Sequence, residues 1–221
     1  MKKFLRIVFL WIPLALIAGS VIWVVAYRNG AVRLTPLMVK RSFQGYETKR
    51  TWVGINDISP FMVRAVIASE DGRFMEHRGF DFKEMEIMRA EHIEQGKPLR
   101  GCSTISQQTA KNCFTWCSDT WIRKGIEAWY TFLIERMWSK KRIMEVYLNV
   151  AEMGAGIYGI QTAAQEYFKK DAIKLTKADA ITLTIRLPNP LKRSIDWAQK
   201  QTKRRQTISK RIEQTPYPKW E

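Results

Sequence analysis

Residues 121–137 read WIRKGIEAWYTFLIERM, and their periodicity decides the fold class. Ile122, Ile126, Trp129, Leu133 and Met137 recur in steps of four, three, four and four. That spacing marks one apolar face of a long helix, expected to be buried. Arg123, Lys124 and Glu127 fall on the polar stretch opposite. Downstream, Lys140 to Val150 carries Ile143, Tyr147 and Val150 on one helical side. Gly154, Gly156 and Gly159 interrupt the pattern, which resumes through Ala163, Ala164 and Phe168. Thr176 with Asp179 caps a further helix ending before Pro188, and the tail from Lys192 is basic and helical in part. Upstream, Ser59-Pro60 reads as an N-cap and first helical residue of a helix ending near Gly72. Phe82 to Gln95 reads as a helix stopped by Gly96, and Thr104 with Gln107 forms a T-x-x-Q capping box. No stretch alternates as a strand. The expectation is a mainly α domain.

The chain has 221 residues, enough for one domain and a short appendage. The appendage is the N-terminus. Residues 7–27, IVFLWIPLALIAGSVIWVVAY, are uncharged and about as long as the ~20 residues that cross a bilayer as a helix. Lys2, Lys3 and Arg6 precede this run, which predicts a single-pass anchor with its N-terminus in the cytoplasm and the rest outside. The apolar run continues past Ala18-Gly19-Ser20, longer than a cleaved signal peptide needs. The expected organisation is a cytoplasmic end and anchor over 1–28, a juxtamembrane stalk over 29–57, and the domain over 58–221.

Lys and Arg number 37 against 21 Asp and Glu, a formal net charge of +16. Such an excess suits a polyanionic partner. An exported domain excludes nucleic acid and leaves anionic lipid head groups and phosphorylated substrates. Arg33, Lys40, Arg41, Lys49 and Arg50, next to the anchor, are expected to hold the domain against those head groups. The cysteines are Cys102, Cys113 and Cys117. The i, i+4 spacing of the last two fits a disulfide poorly, so free thiols are expected, and with only His77 and His92 a structural zinc site is not.

Four segments carry chemistry. The first, 70–81, reads EDGRFMEHRGFD. Glu70 and Asp71 end a helix, where the partial negative charge of the last carbonyls raises a carboxyl pKa toward the range of a general base. The second, 101–108, reads GCSTISQQ. Ser103, Thr104 and the open N–H groups at a helix start suit an anion or a sugar, and Gln107 and Gln108 suit sugar hydroxyls. The third, 123–127, reads RKGIE; it is either a surface i, i+4 pair or a cationic phosphate clamp beside a second carboxylate. The fourth, 141–149, reads KRIMEVYLN, and Glu145, Tyr147 and Asn149 look structural.

In this order and spacing the segments resemble the family 51 glycosyltransferases, the peptidoglycan glycosyltransferases. Glu70, Asp71, Phe74, His77, Gly79 and Asp81 fill its first motif, and Gly101, Ser103, Thr104, Gln107 and Gln108 its second. Arg123, Lys124 and Glu127 fill the third, and Lys141, Ile143, Glu145, Tyr147, Leu148 and Asn149 the fourth. The resemblance runs from about Asp57 to Asn189. Two positions depart from it: Cys102 stands where a small residue is usual, and Asp119 near where related chains often carry a basic one.

The resemblance implies a lysozyme-like helical fold and an inverting polymerisation of lipid II into glycan strands that releases polyprenyl diphosphate. Glu70 would be the base that deprotonates the acceptor hydroxyl, and Glu127 the second carboxylate near the donor diphosphate. Asp71, Ser103, Thr104, Gln107, Gln108, Lys111, Arg123 and Lys124 would bind substrate, and His77 would support the network. The resemblance admits a divalent cation, Mg or Mn, near Glu127 without requiring one. Expected partners are lipid II, the growing glycan, membrane lipids and other wall-synthesis proteins. The expected location is the bacterial cytoplasmic membrane, with the catalytic domain in the periplasm. Transpeptidase motifs S-x-x-K, S-x-N and K-T-G do not occur, so a monofunctional enzyme is expected. A lytic enzyme of the same fold and a non-catalytic membrane scaffold are the rival readings.

Overall fold

The computed structural model describes residues 7–98, 101–116 and 120–220. It is mainly α, as expected. A π-helical turn, Ile7–Trp11, leads into α1 (Ile12–Ala26), followed by α2 (Pro36–Phe43), β1 (Lys49–Arg50) and a 3-10 turn, Ile55–Asp57. Then come α3 (Pro60–Glu70), α4 (Phe82–Gln95), α5 (Ile105–Phe114), α6 (Trp121–Met137) and α7 (Lys140–Val150). The chain continues through β2 (Glu152–Gly154), β3 (Ile157–Tyr158), α8 (Ile160–Phe168) and a 3-10 turn, Ala172–Lys174. It closes with α9 (Lys177–Arg186), α10 (Ile195–Gln199) and α11 (Thr202–Gln214).

The hub is α7. Its residues Ile143, Met144, Val146, Tyr147, Leu148, Asn149 and Val150 are all buried, so its last two turns are enclosed by protein. Helix α5 packs on α6 and α7, and α3 packs on α9 and α11. Buried Glu135 of α6 ties three helices together, accepting from Ser106 of α5 and from Lys140 of α7, the latter at 2.8 Å. Both expected capping boxes form, Thr104 with Gln107 and Thr176 with Asp179. Gly96 stops α4 in the left-handed conformation at φ 62°. Ser59 does not cap α3. Its hydroxyl instead donates to Leu175 O at 2.7 Å, fastening the helix start to the turn before α9.

Three expectations are corrected. The first concerns α6. Its buried positions include Arg123, Glu127, Tyr130, Thr131, Leu133 and Ile134. Of the apolar stripe assigned to the core, Leu133 is buried and Ile126 and Met137 pack against the core, but Ile122 is 73% exposed and Trp129 38%. Trp129 meets the N-terminal helix instead: α1 packs on α6, and Trp129 Nε1 donates to Ser20 Oγ at 3.0 Å. The second concerns strands. A three-stranded sheet in the order β1-β3-β2 exists, with β1 parallel and β2 antiparallel to β3. Strands of two or three residues are too short to show an alternating period. The third concerns 29–57. Rather than a free stalk, it contains α2, a sheet strand and a 3-10 turn folded onto the domain, with Val32 and Met38 each only 1% exposed.

Phe9–Ala26 is the one stretch among the described residues long and apolar enough to cross a membrane, with mean hydropathy 2.3 and only 11% of it buried. A soluble core helix of that composition would be covered by protein, so the exposure fits a single-pass anchor. The end of α1 is fastened to the domain. Trp23 meets Phe114 and Tyr130 edge-on, and Trp138 Nε1 donates to Val24 O at 3.0 Å. Arg142 donates to Tyr27 O at 2.9 Å and to Gly30 O. Lys2, Lys3 and Arg6 lie outside the described residues.

Asn149, fully buried, ties the N-terminal segment to the hub. Its amide accepts from Val53 N at 3.0 Å and donates to Val53 O at 2.9 Å and Glu145 O at 2.8 Å. Gly159 passes close behind it at φ 78°, where a Cβ would lie 2.8 Å from Asn149 O. Asn149→Ala is expected to destabilise the chain by roughly 2–4 kcal/mol, because the Val53 amide and carbonyl lose their partners. Denaturant melts of the full chain in detergent measure this; a change within about 0.5 kcal/mol, the usual range of a neutral surface substitution, contradicts it.

Candidate active site

Glu70 is the last residue of α3, and Asp71 terminates the helix. The two adjacent carboxylates are treated very differently. Asp71 is buried, its side chain 2% exposed. One of its oxygens meets His77 Nε2 at 2.8 Å, and the other accepts from Ile105 N, the first residue of α5, at 2.9 Å. The Gly79 N–H donates to His77 Nδ1, so the ring proton sits on Nε2 and is donated to Asp71. Gly79 adopts φ 92° against Thr131, where a Cβ would sit 2.8 Å from the threonine methyl, and its carbonyl accepts from the Thr104 hydroxyl at 2.6 Å. Asp71, His77, Gly79 and Thr104 thus form one closed polar knot.

Glu70 is half-buried and lines a cavity of about 490 Å³ with Ser69, Glu84, Met88 and Cys102. Its Oε2 accepts from Gln108 Nε2 at 3.2 Å. Gln108 Oε1 in turn accepts from the Tyr147 hydroxyl at 3.2 Å, which fixes the orientation of the carboxamide. Burial pushes the Glu70 carboxyl above its ordinary value, against the opposing pull of Gln108, Arg204, Ser69 and Arg193. Burial and the nearby Glu70 and Asp71 charges push the Tyr147 phenol well up, so it stays a donor.

Gln108 also lines a second cavity, about 510 Å³, with Lys111, Asn112, Tyr147 and Pro188. The Glu70–Gln108 hydrogen bond stands between the two cavities. From Gln108 the chain of contacts runs on. Its Nε2 also reaches Ser103 O at 3.4 Å, and Lys124 Nζ reaches Ser103 Oγ at 3.5 Å. Glu127, only 2% exposed, takes Lys124 on one oxygen and Arg123 on the other at 2.5 Å. The structure therefore links Glu70, Gln108, Ser103, Lys124, Glu127 and Arg123 in one connected set, and places Lys111 on the adjoining cavity.

The remaining expected substrate ligands have internal partners. Asp71 and Thr104 belong to the polar knot. Gln107 closes the capping box, its Oε1 accepting from Thr104 N at 3.0 Å. Both Glu127 oxygens are held by cations, so the residues there do not present an open carboxylate to a divalent ion. Asp71, His77 and Asp81 bring three ligand atoms within 4.8 Å of one another; both Asp71 oxygens, both His77 ring nitrogens and Asp81 Oδ1 already have protein partners, Asp81 Oδ1 holding Arg73 and the Glu84 N–H. Cys113 is a buried free thiol pushed up to about 12 by desolvation, and Cys117 and Asp119 lie outside the described residues.

Two cations near Glu70 escaped the sequence reading. Arg193 and Arg204, from the basic tail, act on its carboxylate electrostatically. Helix α11 carries Arg204 because it packs on α3, and Arg193 is steadied by donation to Ile185 O at 2.8 Å. The excess charge of that tail was visible, but its destination was not, since no local periodicity aims a side chain at a distant helix end. Tyr147 was read as structural and proves to orient the Glu70 partner. Of the residues expected at lipid head groups, Arg41 instead forms a bidentate pair with Glu152 at 2.8 and 3.0 Å, and Arg50 donates to Arg33 O at 2.7 Å.

The transglycosylase family model matches residues 38–213. A biosynthetic peptidoglycan transglycosylase of Caulobacter vibrioides is 49% identical over 191 residues, 86% of this chain and 83% of that one. A protein of the same name from Bacteroides thetaiotaomicron is 51% identical over 181 residues, 79% and 73% of the two chains. Another from Bdellovibrio bacteriovorus is 45% identical over 195 residues, 84% and 78%.

The Glu70 environment generates a pH prediction. With Glu70 as the base, which must be ionised to act, the acidic limb of the rate profile is expected to follow its carboxyl and to lie above that group's ordinary value. Gln108 donates to the ionised form. Gln108→Leu removes that donor and moves the acidic limb further upward, while Tyr147→Phe, which loosens the carboxamide, moves it the same way by less. Rate profiles from pH 4 to 9 test this; a limb shifted downward contradicts it.

Proposed function

Because the chain belongs to the transglycosylase family and is a peptidoglycan glycosyltransferase, we propose that it polymerises lipid II at the outer face of the bacterial cytoplasmic membrane, with Glu70 as general base. The observation that carries this reading is the position of Glu70, a carboxyl of raised pKa between two cavities and joined through Gln108 and Ser103 to a buried cation cluster.

The acceptor sugar occupies the Glu70 cavity with its 4-hydroxyl toward the carboxylate. The donor places its diphosphate in the Lys111 cavity. The acceptor oxygen attacks the anomeric carbon from the face opposite the diphosphate, so configuration inverts. The hydroxyl proton passes to Glu70, the carbon–oxygen bond to the diphosphate breaks, and its electron pair leaves with polyprenyl diphosphate. Negative charge grows on that leaving group, and fixed cations stabilise growing charge most effectively when they need no rearrangement. Lys111, Arg123 and Lys124 supply them. Arg193 and Arg204 draw the anionic acceptor toward Glu70 and favour its ionised form.

Glu127 is a positioning residue in this scheme. Its two oxygens set the places of Arg123 and Lys124 rather than a proton or a metal, and no step is routed through a divalent cation. The anchor keeps the cavities at the leaflet from which a lipid-linked substrate cannot depart. The positive residues ahead of α1 support a cytoplasmic N-terminus and a periplasmic domain. Wall-synthesis proteins are natural partners for such an enzyme.

Purified full-length protein incubated with lipid II tests the reading. Wild type is expected to yield polymer. Glu70→Gln is expected to lower turnover by about 10²–10⁴-fold, the usual value of a general base, with equal or higher thermal stability because a half-buried charge is gone. Glu127→Gln is expected to lower turnover by roughly 10–100-fold through misplaced cations, leaving the acidic limb of the pH profile unmoved. Polymer formation by Glu70→Gln at the wild-type rate refutes the assignment of the base.

A further inference from the structure

We propose that Lys40 of α2, outside the four motifs, grips the diphosphate of the lipid-linked donor together with Lys111. This deepens the reading of the chain as a polymerase of lipid-linked glycan and rests on it.

The cavity of about 510 Å³ receives side chains from separate parts of the chain: Lys40 and Arg41 from α2, Lys111 from α5, and Glu152 from β2. Arg41 and Glu152 neutralise each other through their bidentate pair. Lys40 and Lys111 are both exposed at the surface of the cavity, on two different helices. Two ammonium groups facing one space suit a doubly charged diphosphate, which Lys binds as a point charge. Trp116, 46% exposed, and Leu191, 42% exposed, line the same cavity and offer an apolar rim to the first prenyl units.

The rim position of Lys40 is built rather than incidental. Helix α2 packs on α5, the helix that carries Lys111. Thr35 caps its start by accepting from Met38 N at 3.3 Å, Met38 is buried, and Arg41 pins the next position to β2. The helix that carries Lys40 is thereby held beside the cavity. The location is also right for such a ligand. Helix α2 begins at Pro36, shortly after the apolar span ends at Ala26, and Arg142 folds the intervening chain back by its bonds to Tyr27 O and Gly30 O. A diphosphate whose tail stays in the bilayer lies at that level.

Anionic lipid head groups share this phosphate chemistry, so the experiment separates the two sources. The full-length chain in neutral detergent is titrated calorimetrically with a short-chain prenyl diphosphate and with the matching prenyl alcohol. Lys40→Ala is expected to weaken the diphosphate about tenfold, the size of one charge-assisted contact, and to leave the alcohol unchanged. Lys40→Arg should keep most of the affinity, and Lys174→Ala, an equal loss of charge at a residue outside the cavity lining, should keep all of it. In turnover, Lys40→Ala should raise KM for lipid II and leave kcat and the pH profile in place. Wild-type diphosphate affinity for Lys40→Ala in detergent overturns the proposal. So does a loss that appears only in vesicles containing anionic lipid, which would make Lys40 a head-group contact. Since the binding arm needs no turnover, it is read independently of the Glu70 assignment.

Discussion

The Asp71 carboxylate is the joint on which the site depends. It ends α3 and, through the Ile105 N–H, begins α5, so a single side chain fastens the helix that delivers Glu70 to the helix that delivers Gln108. A carboxylate with a side chain 2% exposed is tolerable only with its partners in place, because an unpaired buried charge costs several kcal/mol. The amide end of α5 and the His77 ring provide them, and the partial positive charge of a helix start adds to the effect. Neighbouring carboxylates thereby acquire opposite properties. Asp71 is held by strong donors and serves the scaffold. Glu70, one residue away, loses water and gains weaker donors, and its raised pKa is the property a base requires.

A second constraint comes from α6, a helix with two incompatible faces. The inward face carries Arg123 and Glu127, buried charges that must satisfy each other. The outward face carries Trp121, Ile122 and Phe132, which a water-facing helix would not choose in such density. Packing of α1 along this helix covers part of that side, through Trp129 and Tyr130, and leaves Trp121, Ile122 and Phe132 exposed. Ser20, which meets Trp129, lies six residues before Ala26, or about 9 Å of helical rise. The contact therefore falls within the apolar span rather than above it. The Arg123–Lys124–Glu127 cluster sits on the other side of the same helix.

This arrangement explains which features the sequence made legible. Local grammar carried over well. The capping boxes at Thr104 and Thr176, the stop at Gly96 and the motif residues Glu70, Gln108, Lys124 and Glu127 all depend on contacts a few residues apart or on chemistry preserved as a pattern. Inside and outside carried over only in part for α6: Leu133 is in the core and Ile126 and Met137 pack against it, while Ile122 and Trp129 are exposed, because periodicity reports an apolar face and not what covers it. The sheet was invisible for a different reason: Lys49–Arg50 and Ile157–Tyr158 pair across more than a hundred residues with only two positions each. Lys40, Arg193 and Arg204 were hidden in a general surplus of charge, where nothing local distinguishes a site residue from a solvated one.

That surplus is organised once the fold is known. Net charge alone suggested a surface adhering to head groups, yet several of the cations counted toward that role face the protein. Arg41 holds α2 to β2 and Arg50 holds the segment before it; Arg142, not among those expected at head groups, holds the end of α1. These three make the entrance to the domain rigid. The second group, Lys40, Lys111, Arg123, Lys124, Arg193 and Arg204, borders the cavities or their connecting contacts. Screening erodes a diffuse positive surface within about 10 Å at ordinary salt, whereas cations fixed around a partly dry cavity keep most of their effect. The reaction we propose, with its diphosphate leaving group, needs the second kind, and the contacts of the first kind hold α2, which carries Lys40 at the cavity rim.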